Sequence, residues 1–356
     1  MSWNTLFGHA GQIEKLRCSA ATGRLAHAYA FVGPSGIGKK RFAFELAQCL
    51  LCDEHTDADL DACGRCANCQ QVAAQSHPDL FAVGLLEGKR EMLLEQFIGK
   101  KETRGKEGLC HDLSLKPMSG RRRMAIIDAA DVLTDESSNA LLKTLEEPPP
   151  NSVLILIATN ADLLLPTIRS RCQVVAFQPL SVADVTRLLI QQGVTKDECD
   201  AAQAARLCGG SLDAARQLLD PHLRTLRSTL YDLLAAQPFR STHAAATVIA
   251  GLEPAGTVKS SQREYASWII RFCVEFFRQA LLTIAGRPAP TGAEIPQVRK
   301  FVERLGPPTV DLLDRVGDLI ERCLAADHHI DANTAIPLCL EAFFDDLGRT
   351  IRSGSA

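Results

Sequence analysis

Gly33-Pro34-Ser35-Gly36-Ile37-Gly38-Lys39-Lys40 decides the fold through what flanks it. An apolar run, residues 28–32, comes before it. A helical pattern, residues 39–51, follows with Phe42, Leu46 and Leu50 on one side. A glycine-rich turn between a strand and a helix lets backbone N–H groups face inward around an anion. The helix N-terminus adds a favourable dipole, and Lys39 is placed to neutralise the outer phosphates. The plain alternative is a strand-to-helix turn with no ligand, and the flanking elements favour a phosphate loop.

Four more short apolar runs follow at residues 79–83, 124–128, 153–159 and 173–177. Helical patterns separate them; one, residues 135–147, carries Leu141, Leu142 and Leu145 and stops at Pro148-Pro149-Pro150. Strands alternating with helices predict a parallel sheet with helices on both faces. After Pro179 the strand signals cease. Residues 180–220 read as a small helical unit, with Ser181 as its first N-cap and Gly209-Gly210-Ser211 breaking two helices. Residues 221–356 read as wholly helical, with a Gly/Pro-rich stretch at 286–296. The expected division is therefore 1–179, 180–220 and 221–356.

The chain has 356 residues, 46% of them apolar, enough for more than one core. Its formal net charge of -3 argues against binding nucleic acid through bulk electrostatics. No apolar run reaches membrane-spanning length, and the first residues, Met1-Ser2-Trp3-Asn4, show no leader pattern. Thirteen cysteines scattered through apolar segments point to a reducing compartment, and a cytoplasmic location is expected.

Four of those cysteines form a set. Cys63-x-x-Cys66-x-x-Cys69 with Cys52 upstream has the spacing of a closed tetrahedral zinc site, here a module at 52–69. Four thiolates leave no open position, so the zinc would be structural and a zinc-catalysed enzyme is disfavoured. Cys49 and His55 are nearby competitors. Cys49 falls within an apolar helix, and His55 lies in an acidic loop.

Two departures weigh against hydrolysis. A phosphate loop that holds magnesium has Ser or Thr after the lysine, and here Lys40 stands there. The run Met124-Ala125-Ile126-Ile127-Asp128 ends in the acid that would help hold the metal, but Ala129 follows where a water-activating Glu is required. The chain is expected to lack ATPase activity of its own. Two states of the cleft remain open: Lys39 and Lys40 hold phosphates without metal, or the cleft is empty.

These residues, with His27-Ala28-Tyr29-Ala30-Phe31-Val32, His77-Pro78-Asp79, Asn139-Ala140-Leu141-Leu142-Lys143-Thr144-Leu145-Glu146-Glu147-Pro148-Pro149 and Ile168-Arg169-Ser170-Arg171-Cys172, carry a resemblance. The chain resembles the delta-prime subunits of bacterial DNA polymerase III clamp loaders, which are AAA+ proteins. The likeness is strong through about residue 220 and returns at Asp331-Ala332-Asn333-Thr334. It implies an AAA+ α/β domain with a zinc insertion, a small helical lid and a helical collar. It also implies a hetero-pentamer with gamma/tau and delta subunits, which loads a sliding clamp onto primed DNA within the polymerase holoenzyme.

The same resemblance assigns Arg171 as an arginine finger reaching the ATP of a neighbouring subunit, with Arg169 the weaker candidate. A guanidinium offers a fixed fork of donors to a transferring phosphoryl group. Thr159, Asn160 and Arg216 would belong, with Gly33, Gly36, Gly38, Lys39, Lys40 and Asp128, to a degenerate nucleotide site. Arg216 reads equally as a solvent-facing helix arginine. Arg121-Arg122-Arg123 reads as a short basic turn before a buried strand, and the stripe Trp268, Phe272, Phe276 as core or interface. The competing functions are a gamma/tau-type motor subunit, which needs a hydroxyl at 40 and an acid at 129, and a zinc-dependent DNA-binding module.

Overall fold

The computed structural model describes residues 3, 6–86, 89, 91–119, 121–252, 259–287, 296–307, 309–331 and 335–352. Residues 332–334 of the Asp331–Thr334 motif, and most of the Gly/Pro-rich stretch at 286–296, lie outside them. The chain divides into two compact units, Met1–Arg216 and Gln217–Ala356.

Among the described residues the first unit holds five parallel strands: β1 (Ala28–Val32), β2 (Leu80–Val83), β3 (Arg123–Ile127), β4 (Ser152–Ala158) and β5 (Gln173–Ala176). Their order is β2-β3-β4-β1-β5. The central strands β1, β3 and β4 are apolar along nearly their whole length because both faces are covered. The edge strands β2 and β5 stay partly exposed.

Among the described residues ten α-helices run from Ala10 to Leu218: α1 (Ala10–Ala21), α2 (Lys39–Leu51), α3 (Ala67–Ala73), α4 (Glu95–Ile98), α5 (Leu109–Ser114), α6 (Asp135–Glu146), α7 (Pro166–Arg169), α8 (Val182–Gln191), α9 (Glu198–Leu207) and α10 (Leu212–Leu218). The helix expected at 39–51 has those bounds. The strand edges differ from the expected runs by one residue at most; the differing residues are polar except Phe177 after β5. Phe31 and Phe42 stack edge-on at 5.5 Å and both meet Phe177, forming an aromatic core on one sheet face. Leu141 and Leu145 of α6 bury against Leu154, Leu156 and Ala30 in a second core. Ser181 caps α8 by accepting from the Asp184 N–H, as expected.

The second unit is helical: α11 (Pro221–Ala235), α12 (Ser241–Gly251), α13 (Lys259–Ile284), α14 (Pro296–Leu305), α15 (Val310–Asp331) and α16 (Ile336–Arg352). Trp268, Phe272 and Phe276 are buried inside it, which makes that stripe core. Among the described residues no helix is long and apolar enough to cross a membrane.

Candidate functional site

Register builds the first site. Val32 pairs with Ala158 across β1 and β4, while Ile127 pairs with Leu156 across β3 and β4. The C-terminal ends of three neighbouring strands therefore meet at one edge, which is where parallel sheets bind ligands. The loop after β1, Asp128 after β3 and Thr159 after β4 arrive there together. They line an open cleft of about 460 Å³, with Lys39, Lys40, Arg41 and Arg216 against Asp128, Asp131 and Asp213.

The cleft is occupied by the chain's own contacts. Lys40 Nζ stands 3.0 Å from Asp128 Oδ2, so an ammonium sits where a metal would meet that carboxylate. Lys39 is 6% exposed and its Nζ donates to the carbonyls of Gly33 and Pro34. Burial pushes that ammonium below its ordinary value, and Asp131 and Asp128 draw it back up. Thr159 Oγ1 donates to Asp131 Oδ2 at 2.5 Å. Arg216 donates to Gln192 Oε1 at 2.6 Å and to Asp213 at 3.2 Å.

Gly36 accepts from the Leu212 N–H at 2.8 Å, which ties the loop to the start of α10. Gly38, in the left-handed region at φ 94°, opens α2. Two of the expected residues stand apart. Gly33 lies against the Phe177 carbonyl instead of lining the cleft. Asn160 is likewise absent from the lining; its Oδ1 accepts from the Asp162 N–H at 3.1 Å and caps a short turn. Asp131, Asp213 and Gln192 were not read from the sequence. Asp131 had a local signal, lying three residues past Asp128, whereas Gln192 had none.

Close by, His9 is 1% exposed, its Nε2 donates to the Ile37 carbonyl at 2.8 Å, and its ring meets Phe42 and Phe177 edge-on. Burial holds it below the ordinary imidazole value, so it is a neutral prop beneath the loop.

Arg171 follows α7 on the way into β5. Its Nη2 pairs with Glu146 Oε1 at 2.8 Å, and its Nη1 donates to the Thr167 carbonyl at 2.9 Å. About a third of the side chain is exposed. Glu146, the last residue of α6, belongs to the Asn139–Pro149 stretch and holds the guanidinium in one orientation. Arg169 instead pairs with Asp162 at 2.6 Å.

The cysteine set closes as its spacing predicts. The Sγ atoms of Cys52, Cys63, Cys66 and Cys69 all lie within 4.8 Å of one another, and Cys63 and Cys69 stand 3.9 Å apart. A tetrahedral ion with metal–sulfur bonds of about 2.3 Å needs sulfurs about 3.8 Å apart, so the set fits a metal ion. Backbone N–H groups already point at the sulfurs: Arg65 and Cys66 donate to Cys63, Cys63 to Cys52, and Cys69 to Cys66. The Arg65 N–H, foremost among these contacts, brings the Cys63 thiol down to about 7, whereas burial pushes Cys69 up.

Cys49 is buried in α2, and neither it nor His55 joins the set. The basic run before β3 braces this module. Arg121 donates to the carbonyls of Cys52 and His55, and Arg122 pairs with Asp57. Arg123 pairs with buried Asp79 at 3.4 Å.

Residues 8–181 match the family model described as DNA polymerase III, delta subunit. DNA polymerase III subunit delta' of Pseudomonas aeruginosa is 33% identical over 208 residues, 58% of this chain and 60% of that protein. The chain is similar to DNA polymerase III delta' subunits. The delta' of Escherichia coli is 31% identical over 222 residues, covering 62% of this chain and 63% of its own length. DNA polymerase III subunit gamma/tau of Mycobacterium tuberculosis strain H37Rv is 33% identical over 223 residues, 62% of this chain and 36% of that protein. The chain thus spans 55% to 63% of the length of the delta' relatives it matches. The matched family region contains the sheet, the phosphate loop, the four cysteines and Arg171.

Proposed function

We propose that this chain is a non-hydrolysing clamp-loader subunit of DNA polymerase III. In this reading it assembles with gamma/tau and delta subunits and helps place a sliding clamp on primed DNA. Similarity to delta' and gamma/tau subunits supports the assembly. The observation that carries the non-hydrolysing role is the Lys40–Asp128 ion pair, which puts a fixed ammonium at the place of a metal ion. Ala129 supplies no base for water. The gamma/tau-type motor requires both groups that are missing, so the shared identity with gamma/tau reflects the common α/β domain.

Arg171 acts in trans in this reading, pre-oriented by Glu146 and offering its guanidinium to the ATP of the neighbouring subunit. Gly36, Gly38, Lys39, Lys40, Asp128, Thr159 and Arg216 form a relic of a nucleotide cleft. The four cysteines hold one structural zinc, whose role is to fix residues 52–69; thiolate ligands and a closed tetrahedron favour zinc over harder ions. Residues 180–220 serve as lid and 221–356 as collar.

The test is steady-state ATPase of a reconstituted loader with clamp and primed DNA. Arg171→Ala should cost the site it serves about a thousandfold or more in rate, so the total rate falls by that site's share. An unchanged rate with assembly intact would overturn the finger. ATP hydrolysis by the isolated chain at the rate of a motor subunit would overturn the non-hydrolysing role.

A further inference from the structure

The helical unit contains a second cationic cavity, remote in sequence from the phosphate loop. It measures about 720 Å³ and opens between the segment leading into α12, the end of α14, the first half of α15 and the last turn of α16. Arg240, Arg304 and Arg315 line it together with Ser241 and Thr242, and no carboxylate is among the described lining residues. That size suits a small ligand or one group of a larger one.

Two independent features give the cavity a preference for an anion. Arg304 is partly buried. Its Nη1 donates to the Ala236 carbonyl at 2.7 Å, but its Nη2 is enclosed and has no hydrogen-bond partner among the described residues. Its Cζ lies over the Phe301 ring, 5.2 Å from the centroid, which positions the guanidinium without neutralising it. Buried donors are almost always paired, and buried charges more so. No carboxylate is among the described residues lining the cavity, so an anion there would neutralise this charge.

The other feature is the start of α12. Its N-cap, Arg240, offers no side-chain acceptor, and its first turn carries no acidic residue. The first N–H groups therefore keep their positive end open to an anion. The Ser241 and Thr242 hydroxyls add donors at the same end.

We propose that this cavity binds a phosphate group. Several guanidiniums, two hydroxyls and a helix N-terminus converging on one space suit a tetrahedral oxyanion with many acceptor positions. The phosphate belongs either to a free nucleotide or pyrophosphate, or to the backbone of a nucleic-acid strand. The site is separate from the cleft at Lys39 and does not depend on the clamp-loader assignment.

The experiment uses the full chain carrying Lys39→Ala, which weakens the phosphate loop's own contribution. Pyrophosphate binding is measured by calorimetry at low salt, and binding of a short labelled single strand by fluorescence anisotropy. The Lys39→Ala chain should bind at least one probe. Adding Arg240→Gln should weaken that probe about tenfold or more, the value of one charged hydrogen bond. Arg240 is exposed, so this change leaves folding intact; Arg304→Gln, which touches the interior, is checked by circular dichroism first and should act the same way. Pyrophosphate binding without strand binding identifies a free phosphate, and strand binding lost with Arg240→Gln identifies a backbone phosphate. Binding of neither probe, or binding unchanged in both variants, would overturn the proposal.

Discussion

Position 40, where a metal-holding phosphate loop carries a hydroxyl, bears an ammonium paired with Asp128. The Lys40–Asp128 pair is more than half exposed on the lysine side. Lys40→Ser should therefore change stability by no more than about 1 kcal/mol, read as a shift in urea midpoint. The same variant should make nucleotide binding respond to magnesium, since it frees Asp128 and supplies a hydroxyl, while hydrolysis stays absent because Ala129 remains. A magnesium-independent titration of that variant would refute the substitution of ammonium for metal. Asp79 is the opposite case, fully buried beside Arg123. Burial pushes its carboxyl up, but the N–H groups of Met118 and Ser119, the Ser119 hydroxyl and Arg123 outweigh it and hold the group below its ordinary value. A depressed folded value means that the stabilisation is complete above the unfolded value of about 3.9 and is lost as pH falls through the folded one. Asp79→Ala should cost about 3 kcal/mol or more near neutral pH. It should also flatten the acid limb of stability measured in urea from pH 7 down to pH 3.

Elements are positioned by their ends. Thr134 caps α6 by accepting from the Ser137 N–H at 3.1 Å, and α6 delivers Glu146 to Arg171 at its other end. Thr134→Ala should remove about 1 kcal/mol. Glu146→Ala should lower the ATPase of the reconstituted loader while leaving the isolated chain's stability within about 1 kcal/mol, because its partner is solvent-accessible. A loader unaffected by Glu146→Ala would mean that Arg171 needs no orienting partner. The turn joining the phosphate loop to α10 depends on Gly36, whose φ is +71° and where an added Cβ would stand 2.2 Å from Ser211 Oγ. The hydroxyl can swing aside, but the backbone angle cannot, so Gly36→Ala should destabilise by about 1 to 2 kcal/mol. A urea titration of the variant checks it.

For the whole molecule, a metal held by the four cysteines would set the stability of one unit and not the other. Elemental analysis should return about one zinc per chain, lost on Cys66→Ser, and a chelator should lower the melting of Met1–Arg216 more than that of Gln217–Ala356. Metal-free protein with unchanged melting would refute a structural ion. Much of this was legible in one dimension. Helix α2 and the central strands followed from periodicity and from glycine placement. The cysteine set followed from its spacing, because three of its ligands sit within seven residues and their backbone fixes their reach. Lys40 and Ala129 were legible because phosphate-loop chemistry assigns a residue type to each position. The rest needed the sheet. Lys40 meets Asp128, Thr159 meets Asp131 and Arg171 meets Glu146 only because the register of β1, β3 and β4 and the packing of α6 bring them together. Arg240, Arg304 and Arg315 came from a region readable only as helical, since helix periodicity tells which face is buried but not which neighbour it faces. Local sterics and spacing are written along the chain; which distant charges share a space is decided by packing.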